Sequence, residues 1–398
     1  MSSITKGIFI VAAKRTPFGT FGGKFTKTSI TDLTTVAIKA ALASGKVDPK
    51  TVDSVVIGNV NAISSSDGAF LARHSQLKSG IPIEKPALSV NRLCGSGFQS
   101  IVSAAQEIIS GDAEIVVAGG AENMSQYPFV VRNVRFGTML GQNYSFEDSL
   151  WLGLTDTYCQ LPMALTAEKL AKEFKVQRQE VDEFALRSQQ LWVKANEAGY
   201  FNEELAPVTI KGKKGEEVVK VDEHPRPKTT IEGLQKLPTL FAKDGVVTAG
   251  TASGICDGAG AVILATEDAV KKQNLKPLAR LVGYQTVGVD PSIMGIGPSP
   301  AIKKLLTKAG LSLDKVDLVE INEAFGAQTL ACAKDLGLDI SKLNVNGGAI
   351  ALGHPLGASG SRITAHLVHE LRRRKAKYGV GSACIGGGQG IAVLIESL

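Results

Sequence analysis

Apolar and polar residues along this chain follow one pattern twice. Residues 37–59 and 301–323 each read as an amphipathic helix, a glycine stop, a short polar link and an apolar strand. Each stretch is followed by a second matching unit, in which a Val-Asn pair leads into a glycine-rich corner, a long helix and another apolar strand. The spacing is too long for a solenoid and predicts two duplicated α/β halves of alternating strand and helix.

One long segment has no counterpart in the repeat and predicts an insertion. It covers residues 124–247 and includes the polar, lysine-rich stretch 211–214, which is typical of a lid or binding segment. The expected division is a first half of residues 1–123 and 248–274, the insertion 124–247, and a second half of residues 275–398.

A cysteine lies at the glycine-rich corner of the first half, in the stretch NRLCGSGFQS. The preceding residues 87–90 suit a buried strand, and an apolar face at helical spacing follows Cys94. Cys94 is therefore expected near the positive end of a helix dipole, where the thiolate is favoured over the thiol. The alternative is that Cys94 is an ordinary core residue, as most cysteines with apolar neighbours are. The apolar helix positions are Phe98, Ile101, Val102, Ala105, Ile108 and Ile109.

The equivalent corner of the second half holds a histidine, in the stretch GGAIALGHPLGASG. His354 lies in a glycine-rich loop and not on an apolar helix face, so a catalytic role competes with simple burial. Because the repeat makes the Cys94 and His354 corners equivalent, the two could face each other across a pseudo-twofold axis. One site would then be built from both halves.

Two further candidates come from the second half. Cys384 precedes Ile385-Gly386-Gly387-Gly388, but a strand and not a helix follows, so dinucleotide-binding and P-loop interpretations fail. Glycines beside a cysteine instead leave backbone N–H groups free to donate to an oxyanion. Asn322 closes a strand, where its amide could orient a water or could merely cap the next helix.

Composition narrows the class of protein. The chain has 398 residues, a length that predicts two or three domains, and five cysteines whose irregular spacing predicts neither a disulfide framework nor a zinc site. Cysteine usage therefore favours a reducing compartment. The net charge of +6 is too weak and dispersed to indicate nucleic-acid binding, and no apolar run approaches a membrane span.

Taken together, NRLCGSGFQS, EINEAFGAQ, NVNGGAIALGHPLGASG and GSACIGGGQG resemble the thiolases, and the resemblance covers the whole chain. It implies a thiolase fold of two α/β halves in a five-layered αβαβα core, with the inserted loop domain covering coenzyme A. Among thiolases the chain resembles the mitochondrial 3-ketoacyl-CoA type. The implied reaction is CoA-dependent cleavage of 3-ketoacyl-CoA to acetyl-CoA and a shortened acyl-CoA, as in fatty acid β-oxidation. No permanently bound cofactor or metal is implied, and CoA is a cosubstrate.

The resemblance also implies catalytic roles. Cys94 would be the nucleophile that carries the acyl group, and His354 would deprotonate it and help to stabilise an enolate. Cys384 would move the proton at the α-carbon and activate the incoming CoA thiol. Asn322 would hold a water that completes one oxyanion hole with His354, and the N–H groups of Cys94 and Gly386 would form the second.

For substrate binding the resemblance implies three further residues. Arg226 and Thr229, in the stretch DEHPRPKTT, would lie near the nucleotide end of CoA, where an arginine suits phosphate. Ser253, in GTASG, would contact the pantetheine arm. Many relatives have asparagine where this chain has Thr251, a departure without a clear consequence.

Other functions remain open at this stage. An acetoacetyl-CoA thiolase is the main alternative, although Leu161-Pro162-Met163-Ala164 replaces the His-Met-Gly sequence that such enzymes often carry. A decarboxylating or HMG-CoA-type condensing enzyme would generally lack the second cysteine, and a Cys-His hydrolase would not need it. A catalytically silent binding protein would not need all four of Cys94, Asn322, His354 and Cys384. By resemblance we expect a homotetramer or homodimer in the mitochondrial matrix, with the cytoplasm as the alternative.

Overall fold

The strands and helices follow the predicted alternation. The computed structural model describes residue 5 and residues 7–212 and 215–398, so Lys213 and Lys214 of the lysine-rich stretch lie outside the described residues. The strands in these ranges are β1 (Ile8–Arg15), β2 (Gly19–Thr20), β3 (Ser54–Gly58), β4 (Ala87–Val90), β5 (Ile115–Asn123), β6 (Phe129–Val130), β7 (Glu147–Asp148), β8 (Thr155–Asp156), β9 (Leu161–Pro162), β10 (Val208–Gly212), β11 (Gly215–Val219), β12 (Cys256–Thr266), β13 (Ala279–Gly288), β14 (Leu318–Ile321), β15 (Tyr378–Ile385) and β16 (Gln389–Ser397).

The helices carry the predicted apolar faces. Those in the same ranges are α1 (Ile30–Gly45), α2 (Leu71–Lys78), α3 (Ser96–Ser110), α4 (Ser149–Gly153), α5 (Met163–Glu173), α6 (Arg178–Glu197), α7 (Ile231–Gln235), α8 (Glu267–Lys272), α9 (Pro298–Ala309), α10 (Gly326–Leu336), α11 (Ala349–Leu352) and α12 (Ser359–Arg374). In α3, Phe98, Ile101 and Ile108 are buried as predicted, whereas Ile109 is 56% exposed. No helix among the described residues is long and apolar enough to cross a membrane.

The two halves repeat one topology. In the first half β3 pairs in parallel with β5, and β5 pairs antiparallel with β12. In the second half β14 pairs in parallel with β15, and β15 pairs antiparallel with β16. The strand order is β14-β15-β16-β13-β1-β12-β5-β3-β4, with β2 beside β12. The halves join where Phe9 and Ile10 of β1 meet Arg280 and Ala279 of β13. The duplication predicted from the sequence is therefore confirmed.

Alternation along the strands divides the core into layers. On β16, Ile391 and Val393 belong to a central cluster that contains α3 and α12, whereas Ala392 and Leu394 face a cluster containing α9 and α10. The strands of the first half likewise face the central cluster on one side and α1 and α2 on the other. The core therefore has five layers, in the order helix, sheet, helix, sheet, helix, as expected for the thiolase fold.

The segment between β5 and β12 packs across the halves. By sequence it interrupts the first half, yet α5 contacts α10, and α6 contacts α10 and α11, all in the second half. Near the buried surface of α6, Ser188 donates to the carboxylate of Glu323 at 2.7 Å, and Gln189 donates to the carbonyl of Ile350 at 3.2 Å. The insertion therefore borders the loops that follow β14 and precede α12.

One expectation about the first corner is wrong. Residues 87–90 do form a strand, but β4 lies at the edge of the sheet and pairs only with β3 among the strands of the described chain. Leu88 is 47% exposed as a result. An apolar sequence signals a strand, but it does not show whether neighbours cover both faces of that strand.

Candidate active site

The corner before α3 presents Cys94 on a strained turn. Leu93 has a φ of 45°, in the left-handed region that a leucine rarely adopts. Two side chains hold the turn: Asn91 Oδ1 accepts from Leu93 N at 2.9 Å, and Ser96 Oγ accepts from Arg92 N at 2.9 Å. The turn places the partly exposed Cys94 just before α3 begins at Ser96.

The corner before α12 presents His354 in the same way. Gly353 has a φ of 91°, and a Cβ there would lie 1.9 Å from the Cys256 sulfur, so the position requires glycine. The His354 N–H donates to the Gly254 carbonyl at 2.9 Å. The two corners meet where α3 crosses α12: a Cβ on Gly97 would lie 2.7 Å from the Gly357 oxygen. The predicted apposition of the two corners is therefore present.

Hydrogen bonds define the state of the His354 ring. Its Nδ1 lies 2.6 Å from Ser359 Oγ, and its Nε2 lies 3.2 Å from Asn322 Nδ2. Ser359 Oγ is also placed to donate its own hydrogen to the Pro355 carbonyl at 3.2 Å, which leaves its lone pairs for an Nδ1–H donor. Asn322 Nδ2 lies 3.2 Å from Nε2 and 3.5 Å from Nδ1, so it is beside the ring and leaves the Nε2 lone pair free. The consistent assignment puts the ring proton on Nδ1 and leaves Nε2 as the acceptor.

Burial keeps this imidazole neutral. Only 5% of His354 is exposed, and desolvation together with the nearby Arg362 charge lowers its pKa to about 3. Among the described residues, no carboxylate shifts this pKa. A neutral ring with a free Nε2 can accept a proton from a thiol in a concerted step and can then donate to an oxyanion.

Asn322 lies beside His354 and does not cap a helix. It follows β14, and α10 begins only at Gly326 with Phe325 in the capping position. Its Oδ1 is buried and has no hydrogen-bond partner among the described residues. Next to it, the Glu323 carboxylate accepts from Ser188, from Asn344 and from the Ile350 N–H, which fixes the loop. The capping alternative is therefore wrong.

The third strand end brings in Cys384 and Gly386. The backbone N–H groups of Gly386 and of Cys94 itself both lower the pKa of the Cys94 thiol, so both act on its sulfur. Cys384 is 1% exposed and packs with Met294 and Ala324. Burial, and next the negative charge that Cys94 would carry, raise the pKa of the Cys384 thiol well above its usual value.

The expectation that the corner favours a Cys94 thiolate is wrong. Burial raises the pKa of the Cys94 thiol to about 11, and the nearby Glu122 charge acts in the same direction. The N–H groups of Gly386 and Cys94 lower the pKa but do not offset the desolvation. Both cysteines and His354 are therefore neutral at pH 7.

The residues expected to bind substrate separate into two groups. Ser253 reaches the site, because its N–H and Oγ both donate to the Ala324 carbonyl, at 3.0 and 3.1 Å. Arg226 is exposed, and Thr229 Oγ1 donates to its carbonyl at 2.8 Å. They follow His224, whose ring packs against Gly254 and whose Nδ1 lies 2.8 Å from the Ala351 oxygen. The structure thus places them on the surface beside the site and not among the catalytic candidates.

Sequence reasoning missed two residues that support the site. Ser359 contacts His354 directly, and its position in the glycine-rich stretch, five residues after the histidine, was the available signal. Glu122 is a fully buried carboxylate at the end of β5. An acidic residue at the end of an otherwise apolar strand was the only hint of it.

Known proteins share both the sequence and the fold of this chain. Residues 8–268 match the family model described as "Thiolase, N-terminal domain", and residues 275–397 match "Thiolase, C-terminal domain". The chain is 65% identical over 395 residues to the mitochondrial 3-ketoacyl-CoA thiolase of Homo sapiens, covering 99% of each. It is 44% identical over 396 residues to the acetyl-CoA acetyltransferase of Paracoccus denitrificans, covering 99% of this chain and 100% of the relative.

Solved structures show the same similarity. The crystal structure of human mitochondrial 3-ketoacyl-CoA thiolase matches with a TM-score of 0.98 at 65% identity, covering 99% of this chain and 100% of the other. A crystal structure of the human enzyme in complex with CoA matches with a TM-score of 0.97 at 64% identity, covering 99% of each chain.

Proposed function

This chain belongs to the thiolase family, and we propose that it is a 3-ketoacyl-CoA thiolase of fatty acid β-oxidation. As an acyltransferase it cleaves 3-ketoacyl-CoA with CoA to acetyl-CoA and an acyl-CoA shortened by two carbons. The observation that carries the proposal is the convergence of Cys94, Cys384, His354 and Asn322 from the two halves. Full-length relatives at 65% identity are named for this activity, whereas the acetyl-CoA acetyltransferases among the relatives are 44–46% identical, which favours it over acetoacetyl-CoA thiolase.

In the first step Cys94 attacks the 3-keto carbon of the substrate. Because the pKa of the Cys94 thiol is about 11 and that of His354 about 3, the proton passes to His354 Nε2 as the sulfur–carbon bond forms, and no free thiolate precedes the attack. The bond between C2 and C3 then breaks, and its electron pair leaves with C2 as the enolate of acetyl-CoA. The acyl group remains on Cys94 as a thioester.

Cys384 completes the first half-reaction as a carbon acid. Its thiol is protonated in the resting site, so it can give its proton to C2 of the enolate and release acetyl-CoA. The resulting Cys384 thiolate then takes the proton of the incoming CoA thiol. The CoA sulfur attacks the acyl thioester, and Cys94 leaves with its electron pair and regains a proton from His354.

Two sets of donors stabilise the negative oxygens. We assign the enolate oxygen to protonated His354 Nε2 and to a water held by Asn322, whose Oδ1 has no hydrogen-bond partner within the described part of the chain. We assign the tetrahedral oxyanion at the acyl carbon to the N–H groups of Cys94 and Gly386, both of which lower the pKa of the Cys94 thiol. Donors fixed by the fold need little reorganisation as charge develops.

We assign CoA to the face formed by the insertion. Within the proposed division, residues 124–247 form the loop domain that covers CoA, between the halves 1–123 with 248–274 and 275–398. The exposed Arg226 would bind phosphate near Thr229, and Ser253 would contact the pantetheine arm close to the Ala324 carbonyl. The human relative crystallised in complex with CoA supports this assignment. CoA is then the cosubstrate, and no permanently bound cofactor is part of the proposal.

We further propose a homotetramer or homodimer in the mitochondrial matrix. The edge strand β4 leaves Leu88 47% exposed, and the insertion exposes Phe136, Leu140 and Tyr158, surfaces that a second copy of the chain would cover. Relatives named mitochondrial support the location.

Mass spectrometry after incubation with a 3-ketoacyl-CoA tests the central assignment. Wild-type protein should carry one acyl adduct on the peptide that contains Cys94, and Cys94→Ser should carry none because a serine hydroxyl is far harder to deprotonate. Cys159→Ser is the matched control, since Cys159 is also partly exposed but lies in the insertion. An adduct that persists on Cys94→Ser would move the nucleophile elsewhere. Thiolysis rates across 3-ketoacyl chain lengths would contradict the main proposal if only acetoacetyl-CoA reacted.

A further inference from the structure

Glu122 is a fully buried carboxylate that accepts five hydrogen bonds beside the proposed site. A carboxylate with several donors inside a protein acts as a rigid anchor, because each lost bond leaves a buried donor unsatisfied. The five donors, with their distances, are Asn59 Nδ2 at 2.9 Å, Val60 N at 3.0 Å, Asn61 N at 3.1 Å, Tyr127 Oη at 2.7 Å and Gly357 N at 3.0 Å.

Some of these hydrogen bonds connect Glu122 to the Cys94 corner. Glu122 fixes the N–H groups of Val60 and Asn61, and the Val60 carbonyl in turn accepts from Asn91 Nδ2 at 3.0 Å. The same Asn91 side chain accepts from Leu93 N through its Oδ1. Three hydrogen bonds in series, through Val60 and Asn91, therefore connect the carboxylate to the strained turn that presents Cys94.

Another of these hydrogen bonds connects Glu122 to the His354 corner. Glu122 Oε2 accepts from the Gly357 N–H, three residues after His354 and two before Ser359. The same oxygen accepts from Val60 N, so one atom holds a loop from each half. Loss of that oxygen would let the two corners move independently.

We propose that Glu122 is a positioning residue, whose carboxylate holds the Cys94 corner and the His354 corner in register for acyl transfer. The proposal rests on the proposed roles of Cys94 and His354, and it adds a residue that does not contact the reacting atoms. In this position Glu122 should affect both the ionisation of Cys94 and its rate of acyl transfer. Its charge suppresses ionisation of the thiol, whereas its hydrogen bonds favour acyl transfer by holding the two corners in register.

The charge of Glu122 opposes ionisation of Cys94. The titratable groups that interact electrostatically with Cys94 are Glu122, Cys384 and Tyr127, and the negative charge of Glu122 raises the pKa of Cys94. Removal of that charge should lower the pKa of Cys94 and so increase the fraction of thiolate at pH 8. Loss of register should meanwhile slow acyl transfer by about 100-fold.

The experiment measures the rate of thiolysis and the rate of Cys94 alkylation in full-length Glu122→Gln. A glutamine at this position presents an amide NH₂ to donors that need an acceptor, and it carries no charge. We expect kcat for thiolysis to fall about 100-fold with the KM for CoA within about twofold of wild type. Alkylation of the Cys94 peptide by iodoacetamide at pH 8, followed by mass spectrometry, should become measurably faster than in wild type.

Asp53→Asn is the matched control. Asp53 accepts backbone N–H groups of Glu114 and Ile115 at 2.9 and 3.0 Å, at the opposite end of β5. Its loss should lower the melting temperature without changing either rate. Tyr127→Phe removes one donor to Glu122 and is the milder variant should Glu122→Gln not fold. It should slow acyl transfer while alkylation stays at least as fast as in wild type.

The proposal would be overturned if the folded variant, Glu122→Gln or Tyr127→Phe, transferred the acyl group at the wild-type rate. It would also be overturned if the rates of acyl transfer and of alkylation fell in parallel. A parallel fall would mean that the mutation merely unfolds the corner. An acyl adduct on wild-type Cys94 with unchanged Glu122→Gln kinetics would refute the role of Glu122 alone. Absence of that adduct in wild type would instead refute the proposed function.

Discussion

Gly120→Ala should separate the two halves at the site without removing any functional group. Gly120 lies in β5, and a Cβ there would be only 1.9 Å from the Gly357 carbonyl oxygen and 2.9 Å from the Gly357 carbonyl carbon. Both neighbours are backbone atoms, so no rotamer change can relieve the overlap. The loop that carries His354 must therefore move, or β5 must.

The required displacement follows from the contact distance. A carbon–oxygen contact needs about 3.3 Å, so the Gly357 carbonyl must retreat by about 1.4 Å from its present 1.9 Å. Overpacking of this kind costs about 1–3 kcal/mol of stability. The movement also stretches the 3.0 Å bond from Gly357 N to Glu122. A misplacement of about 1 Å can cost about 100-fold in rate, which is the expected fall in kcat.

Single-turnover acylation of Cys94 by acetyl-CoA is the suitable assay, because it isolates the step that needs both corners. Gly288→Ala is the control, since a Cβ on Gly288 meets nothing within 4 Å and should change neither stability nor rate. A folded Gly120→Ala protein that acylates at the wild-type rate would refute the reasoning. The contact would then relax without moving the His354 corner, and the register of the two halves would not limit catalysis.

Three further outcomes are expected. Cys384→Ala should nearly abolish thiolysis and deuterium exchange into the acetyl methyl group but still let Cys94 take an acetyl group from acetyl-CoA, and retained exchange would refute its role as carbon acid. Ser359→Ala should lower kcat by about tenfold and shift His354 from the Nδ1–H tautomer, which ¹⁵N NMR of the ring reports; an unchanged tautomer would refute the assignment. Arg226→Ala should raise the KM for CoA with kcat largely intact, and the reverse pattern would contradict its placement near phosphate.

The sequence was sufficient for the features that depend on local pattern. The helix-link-strand repeat of residues 37–59 and 301–323 predicted the duplicated halves, and equivalent positions in the repeat predicted that the Cys94 and His354 corners would meet. Periodicity and glycine placement are properties of neighbouring residues, so they can be read directly from the chain. The residues implied by resemblance, such as Asn322 and Cys384, also lie at strand ends of the repeat.

Features that depend on distant contacts could not be read in this way. The dipole of α3 suggested a Cys94 thiolate, but the pKa of about 11 follows from desolvation by residues far away in sequence. Glu122 gave little signal because its donors come from three separated segments. The exposure of Leu88 depends on which strand ends the sheet, and the local apolar pattern is the same at the edge and in the centre.

The proximity of the two cysteines gives the proposed reaction its order. A thiolate on Cys94 raises the pKa of Cys384, so the free enzyme resists carrying both charges at once. Acylation of Cys94 turns its sulfur into a neutral thioester and removes that repulsion. Cys384 can then keep the negative charge left after it protonates the enolate, until CoA arrives with a new proton. The electrostatics thus place carbon–carbon cleavage before activation of CoA, which is the order of a ping-pong mechanism.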